Sequence, residues 1–469
     1  ESEFISQMVP IPALTVDEQI YCYPPSFIVG TVDKVARISF EPRCGALFGN
    51  VDHYHAIYGY YRAGLPPPSS GSTSKHPRGG IKLRKEVTPF NPPDLIIQDE
   101  LHLIEGPLGS MVGIYESAVD YLASQNDIKV KYVASTATVR GAPAQVHSIF
   151  LRKLMQFPPH GLFPEDRFFI RFKKLHPLEE KLPGRLYVGI CAPGLGPLTP
   201  VVRIWSRLLQ TVYELSRKYG KQMDPFWTLV GYFNAIRELA GARSLYRQDI
   251  PERIRQKIGR HNPRPLYDDR AYELSSRTHS TDLPTILSLI ESPFSGDPDN
   301  PQTPDALFTT SMFGTGVDVP RLSLMVVHGQ PKTTSAYIQS TGRVGRKQGG
   351  LVVTFYRATR PRDLSHYEMF CGYHMNLERF VEPVTAAPFS PGTLARCIGP
   401  VIVGMLRNMP NTSYSWHEDA SATAMAVHHS SPEVKVLPDI FEKRAVSQPA
   451  SRAPTPGFVQ NFVLSQIDR

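Results

Sequence analysis

The chain has 469 residues, which is too long for one hydrophobic core and long enough for two or three domains. It is 41% hydrophobic and 20% charged, which is ordinary for a soluble globular protein. No apolar run reaches the ~18 residues that a membrane span needs, and no signal peptide is visible. The net charge of +8 suits a polyanionic partner such as nucleic acid without requiring one.

The cysteines are odd in number and dispersed, at positions 22, 44, 191, 371 and 397. No two of them form a CxxC pair, so the spacing of a zinc ribbon is missing. Such a set is typical of reduced thiols in a cytoplasmic protein. Cys44, His53 and His55 could together hold a metal ion, but scattered polar loop residues are the favoured interpretation.

Short apolar runs alternate with helical patterns along most of the chain, which predicts α/β domains with parallel sheets. Strands are predicted at Ser26–Val29, Asp94–Ile97, Val130–Ala134, Arg185–Ile190, Trp227–Tyr232, Ala306–Thr309, Leu322–Val327 and Gly350–Phe355. Helical periodicity predicts one helix around 111–122 and another around 201–215, with Gly220 as the stop of the second.

Three segments break this pattern. Residues 66–80 are rich in Pro, Gly and Ser and predict a mobile loop. Residues 156–184 separate two α/β blocks and are interpreted as a linker. After about Leu364 the alternation of strands and helices fades, and 447–456 is expected to be extended or disordered.

The first chemical motif is PDLIIQDELH, residues 93–102. A buried strand here delivers two acids to its carboxyl end, where open α/β sheets place their ligands. Asp99 can hold Mg²⁺, and Glu100 can orient or deprotonate an attacking water. Taken alone, the pattern more often describes a strand that ends in solvated acids.

A second strand ends in the hydroxyl-rich run Ser135, Thr136, Ala137 and Thr138. Small hydroxyl side chains at this place can bind the neighbouring acids and respond to a γ-phosphate. As an isolated string the run is weak, because Ser and Thr often cap a following helix.

Residues 308–320, FTTSMFGTGVDVP, form a strand end followed by a Gly-containing turn. The turn can offer hydroxyls and backbone N–H groups, including that of Gly316, to phosphates. Asp318 can accept a hydrogen bond from a ribose or from an arginine. An ordinary tight turn without a special role is an equally good interpretation.

The strongest motif is QSTGRVGR, residues 339–346. Arg343 and Arg346 can neutralise the charge that develops as a γ-phosphate leaves, and Gln339 can position the nucleotide. A surface basic helix is disfavoured, because Gly342 and Gly345 are poor residues for a helix.

In their order and spacing, these motifs resemble the superfamily-2 helicases of the DExH type, over about Tyr23 to Arg357. The matched segments are Thr31–Lys34 with motif Ib, Asp99–His102 with motif II, Ser135–Thr138 with motif III, Phe226–Asn234 with motif IV, Ser275–Thr278 with motif IVa, Thr310–Asp318 with motif V and Gln339–Arg346 with motif VI. The resemblance implies two RecA-like (P-loop NTPase) lobes with parallel sheets that use ATP and Mg²⁺.

The same resemblance implies roles for matched residues. His102 would couple the nucleotide site to the nucleic-acid site; a polar turn residue is the alternative. Phosphates of a DNA strand would be contacted by Thr31, Lys34, Arg277, Thr278 and Thr310. Such contacts fix register without reading bases, so binding is expected to tolerate sequence and to weaken with salt.

Two segments point to one family within this superfamily. PDLIIQDELHLIEGPLGSMVGIYE and FIVGTVDKVA resemble the helicase subunit of the bacterial DISARM phage-defence system. That implies DNA as substrate and a second, DrmB-like subunit as partner. A DNA-repair helicase with a similar C-terminal lobe is the alternative. Because the first residue is Glu1 rather than Met, additional chain upstream is expected.

The motif that grips ATP phosphates, GxxxxGK followed by Ser or Thr, does not occur in the sequence. We therefore expect the first lobe, residues 1–165, to lack its N-terminal Walker A part. Residues 41–92 are an expected insertion in it, whose tyrosines and histidines could stack on bases or simply pack. A linker at 166–184, a second lobe at 185–365 and an accessory region at 366–469 with a partly disordered tail complete the prediction. An ATPase-dead nucleic-acid-binding scaffold remains the non-enzymatic alternative.

Overall fold

A computed structural model describes residues 13–55, 58–65, 84–124, 129–136, 141–157, 159, 169, 184–299, 301–314, 317–448 and 453–468. The chain divides into two compact units. The first unit comprises Glu1–Phe157 and Pro383–Arg469, and the second comprises Pro158–Glu382. The predicted loop at 66–80 and most of the predicted linker lie outside the described residues.

The strands of the described residues are β1 His53–His55, β2 Gly59–Tyr61, β3 Arg84–Glu86, β4 Leu95–Gln98, β5 Lys131–Ala134, β6 Arg185–Cys191, β7 Leu229–Phe233, β8 Ala271–Leu274, β9 Ala306–Thr309, β10 Leu324–His328 and β11 Gly350–Tyr356. The α-helices are α1 Asp17–Cys22, α2 Gly106–Ala123, α3 Ala142–Phe150, α4 Leu198–Tyr219, α5 Asp224–Trp227, α6 Ile236–Arg247, α7 Asp249–Arg253, α8 Leu283–Glu291, α9 Thr334–Thr341, α10 Pro361–Glu368, α11 Phe370–Met375, α12 Pro391–Asn408, α13 Ala422–His428, α14 Pro432–Lys435, α15 Leu437–Val446 and α16 Phe458–Ile467.

The second unit is built on a six-stranded sheet in the order β6-β11-β10-β7-β9-β8. All of its neighbouring strands run parallel. The central strands β7, β9 and β10 are buried along their whole length. Helices that cover both faces of a parallel sheet explain why these strands are continuous apolar runs in the sequence. The predicted α/β class with a parallel sheet is confirmed.

The first unit contains a two-stranded parallel sheet, β4-β5, and a three-stranded antiparallel sheet, β2-β1-β3. Its main core lies between α2 and α12, where Ile114, Leu122, Leu394 and Met405 are fully buried. Residues 383–469 thus belong to the same compact unit as the acidic motif, whereas the sequence predicts a separate accessory region at 366–469.

The predicted strands from 94 onwards and both predicted helices are confirmed, and Gly220 follows the end of α4 with a φ of 51°. The strand predicted at Ser26–Val29 is wrong: this segment is irregular, and Phe27 and Val29 are 74% and 81% exposed. An apolar run forms a strand only where a neighbouring strand satisfies its backbone, and no described strand pairs with it. Helix α16 follows the segment predicted to be extended, of which 449–452 lies outside the described residues.

Among the residues that the structure describes, no helix combines the length and the apolar character needed to cross a lipid bilayer.

A buried cluster of charged residues fastens the C-terminal helices to α2. Asp120 accepts hydrogen bonds from Arg152 at 2.5 Å and from Arg444 of α15 at 2.6 Å. One helical turn earlier, Glu116 accepts a 2.5 Å hydrogen bond from the Tyr132 hydroxyl of β5. Burial raises the pKa of Glu116 to about 7. The cluster therefore holds a carboxyl group that the fold favours in its protonated form.

This carboxyl group predicts a pH dependence of stability. Unfolded Glu116 loses its proton near its ordinary pKa of 4.5, while the folded group keeps it to about 7. Its contribution to stability is therefore complete below pH 4.5 and falls, by about 3 kcal/mol in all, as the pH rises to 7. Glu116→Gln keeps an acceptor for Tyr132 but cannot ionise, so its melting temperature should exceed that of the wild type at pH 8 and converge with it at pH 4.5.

The matched control is Glu18→Gln, which removes an exposed carboxylate from the same unit. Its melting temperature should follow the wild type at every pH. A Glu116→Gln curve parallel to the wild-type curve from pH 4.5 to 8 would contradict the assignment.

Candidate nucleotide and nucleic-acid site

The acidic motif lies at the carboxyl end of β4, beside the carboxyl end of β5. The two strands run parallel with Gln98 opposite Ala134, so Asp99 and Ser135 leave the sheet at the same edge. The Ser135 hydroxyl donates a hydrogen bond to Asp99 Oδ1, which also accepts the backbone N–H of Glu100 at 2.9 Å. The structure thus brings the predicted acids and the predicted hydroxyl residues together.

Glu100 adopts a left-handed backbone conformation, with a φ of 50°. This conformation is costly for a residue with a side chain, and such strain is concentrated at functional sites. Glu100 Oε2 lies 3.4 Å from Nδ1 of the buried His102, and the same nitrogen is 3.4 Å from the Thr136 hydroxyl. His102 therefore connects the acid to the hydroxyl-rich strand end. The predicted residues Ala137 and Thr138 lie outside the described residues.

Sequence reasoning missed Gln145, a fully buried amide on α3. Its Nε2 donates to the carbonyl oxygens of Leu101 at 2.9 Å and Ile104 at 2.8 Å. These carbonyls belong to the short 3₁₀ turn that follows Glu100 and carries His102. Gln145 therefore fixes the backbone of the turn that follows Glu100. No local sequence signal marks such a contact between a side chain and a distant backbone.

The two arginines of the 339–346 motif lie in the second unit, in the loop after α9. Arg346 Nη1 is 2.6 Å from Asp318 Oδ1, and Arg343 Nη1 donates to the carbonyl of Val317 at 3.0 Å. Gly345 lies between the two arginines with a φ of 66°, and a Cβ on it would lie 2.9 Å from Gly350, so the chain requires glycine at this position. The structure thus joins this motif to the preceding turn at Asp318.

Gln339 lies half-buried on α9, before the arginine loop. Gly316 lies outside the described residues. A second residue that sequence reasoning missed is Arg185, at the start of β6. Its Nε and Nη2 donate to the carbonyls of Val344 at 2.7 Å and Gly342 at 3.0 Å, and so fix the backbone from which both arginines project.

The cations predicted to contact phosphates are paired with carboxylates. Lys34 Nζ is 2.6 Å from Asp17, and Arg277 makes a two-pronged contact with Glu273 at 2.9 Å and 3.0 Å. Both cationic side chains are 51% exposed. A polyanion that binds here has to replace these carboxylates, which lowers the net gain of each contact.

The threonines predicted to contact phosphates differ in accessibility. The Thr31 hydroxyl binds Asp33 and lowers the pKa of that carboxyl group. The Thr278 hydroxyl donates to the carbonyl of Glu273 at 3.0 Å and accepts the N–H of Ser275 at 3.1 Å, so it stabilises its own turn. Thr310 is 8% exposed at the end of β9. The structure does not bring these residues to one place within a unit, since Thr31 belongs to the first and the others to the second.

No group of three His, Cys, Asp or Glu side chains that could hold a metal ion exists within the described part of the chain. Magnesium in nucleotide sites uses one or two carboxylates together with phosphates and water, so a single acid such as Asp99 fits this donor set. Asp99 has one carboxylate oxygen, Oδ1, committed to the loop.

The left-handed conformation of Glu100 predicts an unusual order of stability. Glu100→Gly removes the backbone strain that Glu100→Gln retains, while both remove the carboxylate that lies beside His102. The free energy of unfolding, measured with a chemical denaturant, should therefore be about 0.5–1 kcal/mol higher for Glu100→Gly than for Glu100→Gln. This difference already includes the greater conformational freedom of glycine in the unfolded chain. At Asp99, whose φ is not positive, Asp99→Gly should be less stable than Asp99→Asn. If the glycine variant were the less stable one at position 100 as well as at position 99, Glu100 would not be strained.

Because Gln145 stabilises the turn after Glu100, its removal should make this turn more mobile. Gln145→Leu keeps the volume but removes the side-chain donor from the carbonyls of Leu101 and Ile104, at a cost of about 1–3 kcal/mol. The Leu101 carbonyl keeps the backbone N–H of Ile104. Hydrogen exchange of the amides of residues 101–104 should then accelerate. Gln210→Leu, which removes a buried amide with several hydrogen bonds in the second unit, is the matched control and should leave those amides unchanged. Equal exchange in both variants would contradict the role of Gln145.

Comparison with known proteins supports the resemblance. Residues 292–348 match the family described as the helicase conserved C-terminal domain. The chain is 42% identical over 416 residues to DISARM protein DrmA of Bacillus paralicheniformis, an alignment that covers 87% of this chain and 36% of that protein. The chain therefore spans about a third of the length of this relative.

Among solved structures, the DUF1998 helicase MrfA bound to DNA and AMPPNP is 17% identical, with a TM-score of 0.44 over 67% of this chain and 37% of that one. The helicase Lhr of Mycobacterium smegmatis, bound to ssDNA and AMP-PNP, is 14% identical, with a TM-score of 0.44 over 79% of this chain and 42% of that one. By its sequence identity over 87% of its length, the chain is a relative of DISARM protein DrmA, and its residues 292–348 match the helicase conserved C-terminal domain.

Proposed function

We propose that this chain forms part of an ATP-dependent DNA helicase or translocase motor that acts in anti-phage defence. The observation that carries the proposal is the joined acidic loop, in which Asp99 is bound by Ser135 and the strained Glu100 lies beside His102. Kinship with DISARM protein DrmA supports the biological setting. The second-unit loop with Arg343 and Arg346 supplies the complementary cationic groups.

Each predicted residue then has a defined task in ATP hydrolysis. Asp99 would hold Mg²⁺, which when bound neutralises phosphate charge. Glu100 would orient the attacking water, and Arg343 and Arg346 would stabilise the charge on the departing γ-phosphate. Gln339, Gly316 and Asp318 would contact the nucleotide, and His102 would report its state to the strand end at Ser135–Thr138. For Arg346 this requires release from Asp318, an exposed exchange of one anion for another.

DNA binding would proceed through phosphates rather than bases. Lys34 and Arg277 would leave Asp17 and Glu273 for the DNA backbone, with Thr31, Thr278 and Thr310 at the neighbouring positions. Because each contact replaces an existing ion pair, binding should be weak per contact and strongly salt-dependent. A strand that slides through such contacts suits a motor that tracks DNA.

The loop that grips the ATP phosphates would come from polypeptide outside this sequence. The apolar face of β4-β5 formed by Leu95, Ile97 and Val133 is 44–59% exposed. Parallel sheets are normally covered on both faces, so this face is suited to receive further chain. The relative of B. paralicheniformis is long enough to supply it, since the alignment covers 36% of that protein. A second, DrmB-like subunit would complete the defence assembly.

Glu100→Gln in the full-length protein should abolish DNA-stimulated ATP hydrolysis while leaving ATP binding, because the amide cannot orient the water as the carboxylate does. Arg346→Ala should slow hydrolysis by about three orders of magnitude, as loss of an arginine finger does. Steady-state phosphate release with single-stranded DNA measures both. The exposed Lys347→Ala is the control for charge loss in the same loop and should retain most activity.

Near wild-type turnover in Glu100→Gln would overturn the role of Glu100. A full-length wild-type protein that binds DNA but hydrolyses no ATP would instead favour the non-enzymatic scaffold.

A further inference from the structure

A short segment, Glu382–Ala387, connects two elements that matter to the proposed site; we call it the strap. It includes the point at which the chain leaves the second unit and returns to the first. One end of the strap is bonded to α9, which precedes the arginine loop. The other end is bonded to α2, which follows the acidic loop.

At the second-unit end, Glu382 occupies the N-terminus of α9. Its two carboxylate oxygens accept the backbone N–H of Thr334 at 2.8 Å and 3.1 Å, and Oε1 also accepts the Thr334 hydroxyl at 3.2 Å. A carboxylate at this end of a helix interacts favourably with the unpaired N–H groups and with the helix dipole.

The same helix end is fixed from its buried side. Tyr373 donates to the Thr334 hydroxyl at 3.2 Å and accepts from Gln330 Nε2 at 3.0 Å. Thr334 itself is 2% exposed. Because α9 has only eight residues, the direction set at Thr334 determines where Gly342 and the arginine loop begin.

At the first-unit end, the strap runs along the first turns of α2. The carbonyl of Thr385 accepts the N–H of Gly106 at 2.6 Å, and the N–H of Ala387 donates to the Ser110 hydroxyl at 2.9 Å. A Cβ on Gly109 would lie 2.6 Å from the Ile104 carbonyl oxygen and 3.3 Å from the Ala386 methyl group, so glycine is required here mainly by Ile104, and the strap packs closely beside it. Helix α2 begins just after the turn that carries His102.

The strap has little slack between its two ends. Only Pro383 and Val384 separate the residue bonded to α9 from the residue bonded to α2. Proline fixes its own φ and restricts the residue before it, which is Glu382. Val384 is 4% exposed. Three peptide units join Glu382 to Thr385 and span at most about 11 Å, so a displacement at one end that exceeds this reach has to be followed at the other or break a hydrogen bond.

We propose that the strap couples the arginine loop to the acidic loop, with Glu382 as the positioning residue that holds α9. This inference rests on the proposed function, because it assigns the strap to the hydrolysis step. Glu382 touches neither nucleotide nor DNA in this role; it acts through the direction of α9.

The experiment compares two kinds of change in the full-length protein. Glu382→Ala removes the anchor, whereas insertion of Gly-Gly between Pro383 and Val384 keeps both anchors and adds slack. Each should lower kcat for DNA-stimulated ATP hydrolysis by about fivefold while KM for ATP stays within twofold. Glu382→Gln keeps an acceptor oxygen and should recover part of the loss.

The controls separate coupling from stability. Glu378→Ala removes an exposed carboxylate from the neighbouring 3₁₀ turn, and a Gly-Gly insertion between the exposed residues His429 and Ser430 adds slack elsewhere in the first unit. Both should retain wild-type kcat. The strap insertion keeps the hydrogen bonds of Glu382 and Thr385, whereas the control insertion interrupts the backbone hydrogen bond from Ser431 to His428. The melting temperature of the strap insertion should therefore be no lower than that of the control insertion.

The outcomes are distinct. If the wild type hydrolyses ATP and the strap insertion turns over like its control, the coupling role is wrong while the proposed function stands. If the wild type hydrolyses no ATP, the proposed function fails. In that case faster hydrogen exchange at residues 334–337 in Glu382→Ala but not in Glu378→Ala would still support the anchor, and unchanged exchange would overturn it as well.

Discussion

The hydrogen bond between Ser135 and Asp99 is the interaction on which the account of this molecule depends. It joins two strand ends whose bonded residues are 36 apart in the chain and become neighbours because β4 and β5 pair in parallel. Two further contacts stabilise the loop beside this hydrogen bond. Leu101 N–H binds the carbonyl of Ser135 at 2.9 Å, and Gln145 holds the following turn. Glu100 is thereby kept in a conformation that it would not adopt alone.

In the second unit, the arginine side chains are positioned by contacts to the loop that carries them. Its arginines sit on a loop rather than at a strand end, so their direction depends on the elements around that loop. Arg185 holds the loop carbonyls, Gly345 permits the turn into β11, and Glu382 holds the helix that leads into it. Long cationic side chains lose much conformational entropy when they are fixed, and a rigid backbone reduces what remains to be fixed.

Sequence patterns predicted the parallel sheet well because its strands are apolar runs buried on both faces. The failure at Ser26–Val29 has the opposite cause: the run is apolar, but pairing is a property of neighbours and not of the run. The hairpin His53–Tyr61 was missed because its strands have three residues each and are built from His and Tyr. The packing of α12 against α2 was not predicted, because helical periodicity shows which face of a helix is buried but not which element covers that face.

At the site, sequence identified residues whose chemistry is distinctive, such as paired acids and spaced arginines. It could not identify Gln145, Arg185 or Glu382, because each acts by binding backbone atoms far away in the chain, and any sequence can supply a carbonyl or an amide. It also could not show that Lys34 and Arg277 are paired with Asp17 and Glu273. That pairing changes the expected DNA contact from simple attraction to an exchange of anions.

The proposed function requires the acids of the first unit and the arginines of the second to act on one nucleotide. The most direct measurement is an experimental structure of the full-length protein with Mg²⁺, single-stranded DNA and a non-hydrolysable ATP analogue. The account predicts a Mg²⁺ ion near Asp99 and a guanidinium nitrogen of Arg343 or Arg346 within about 3 Å of a γ-phosphate oxygen. A bound nucleotide contacted by Asp99 and Glu100 but by neither arginine would contradict it.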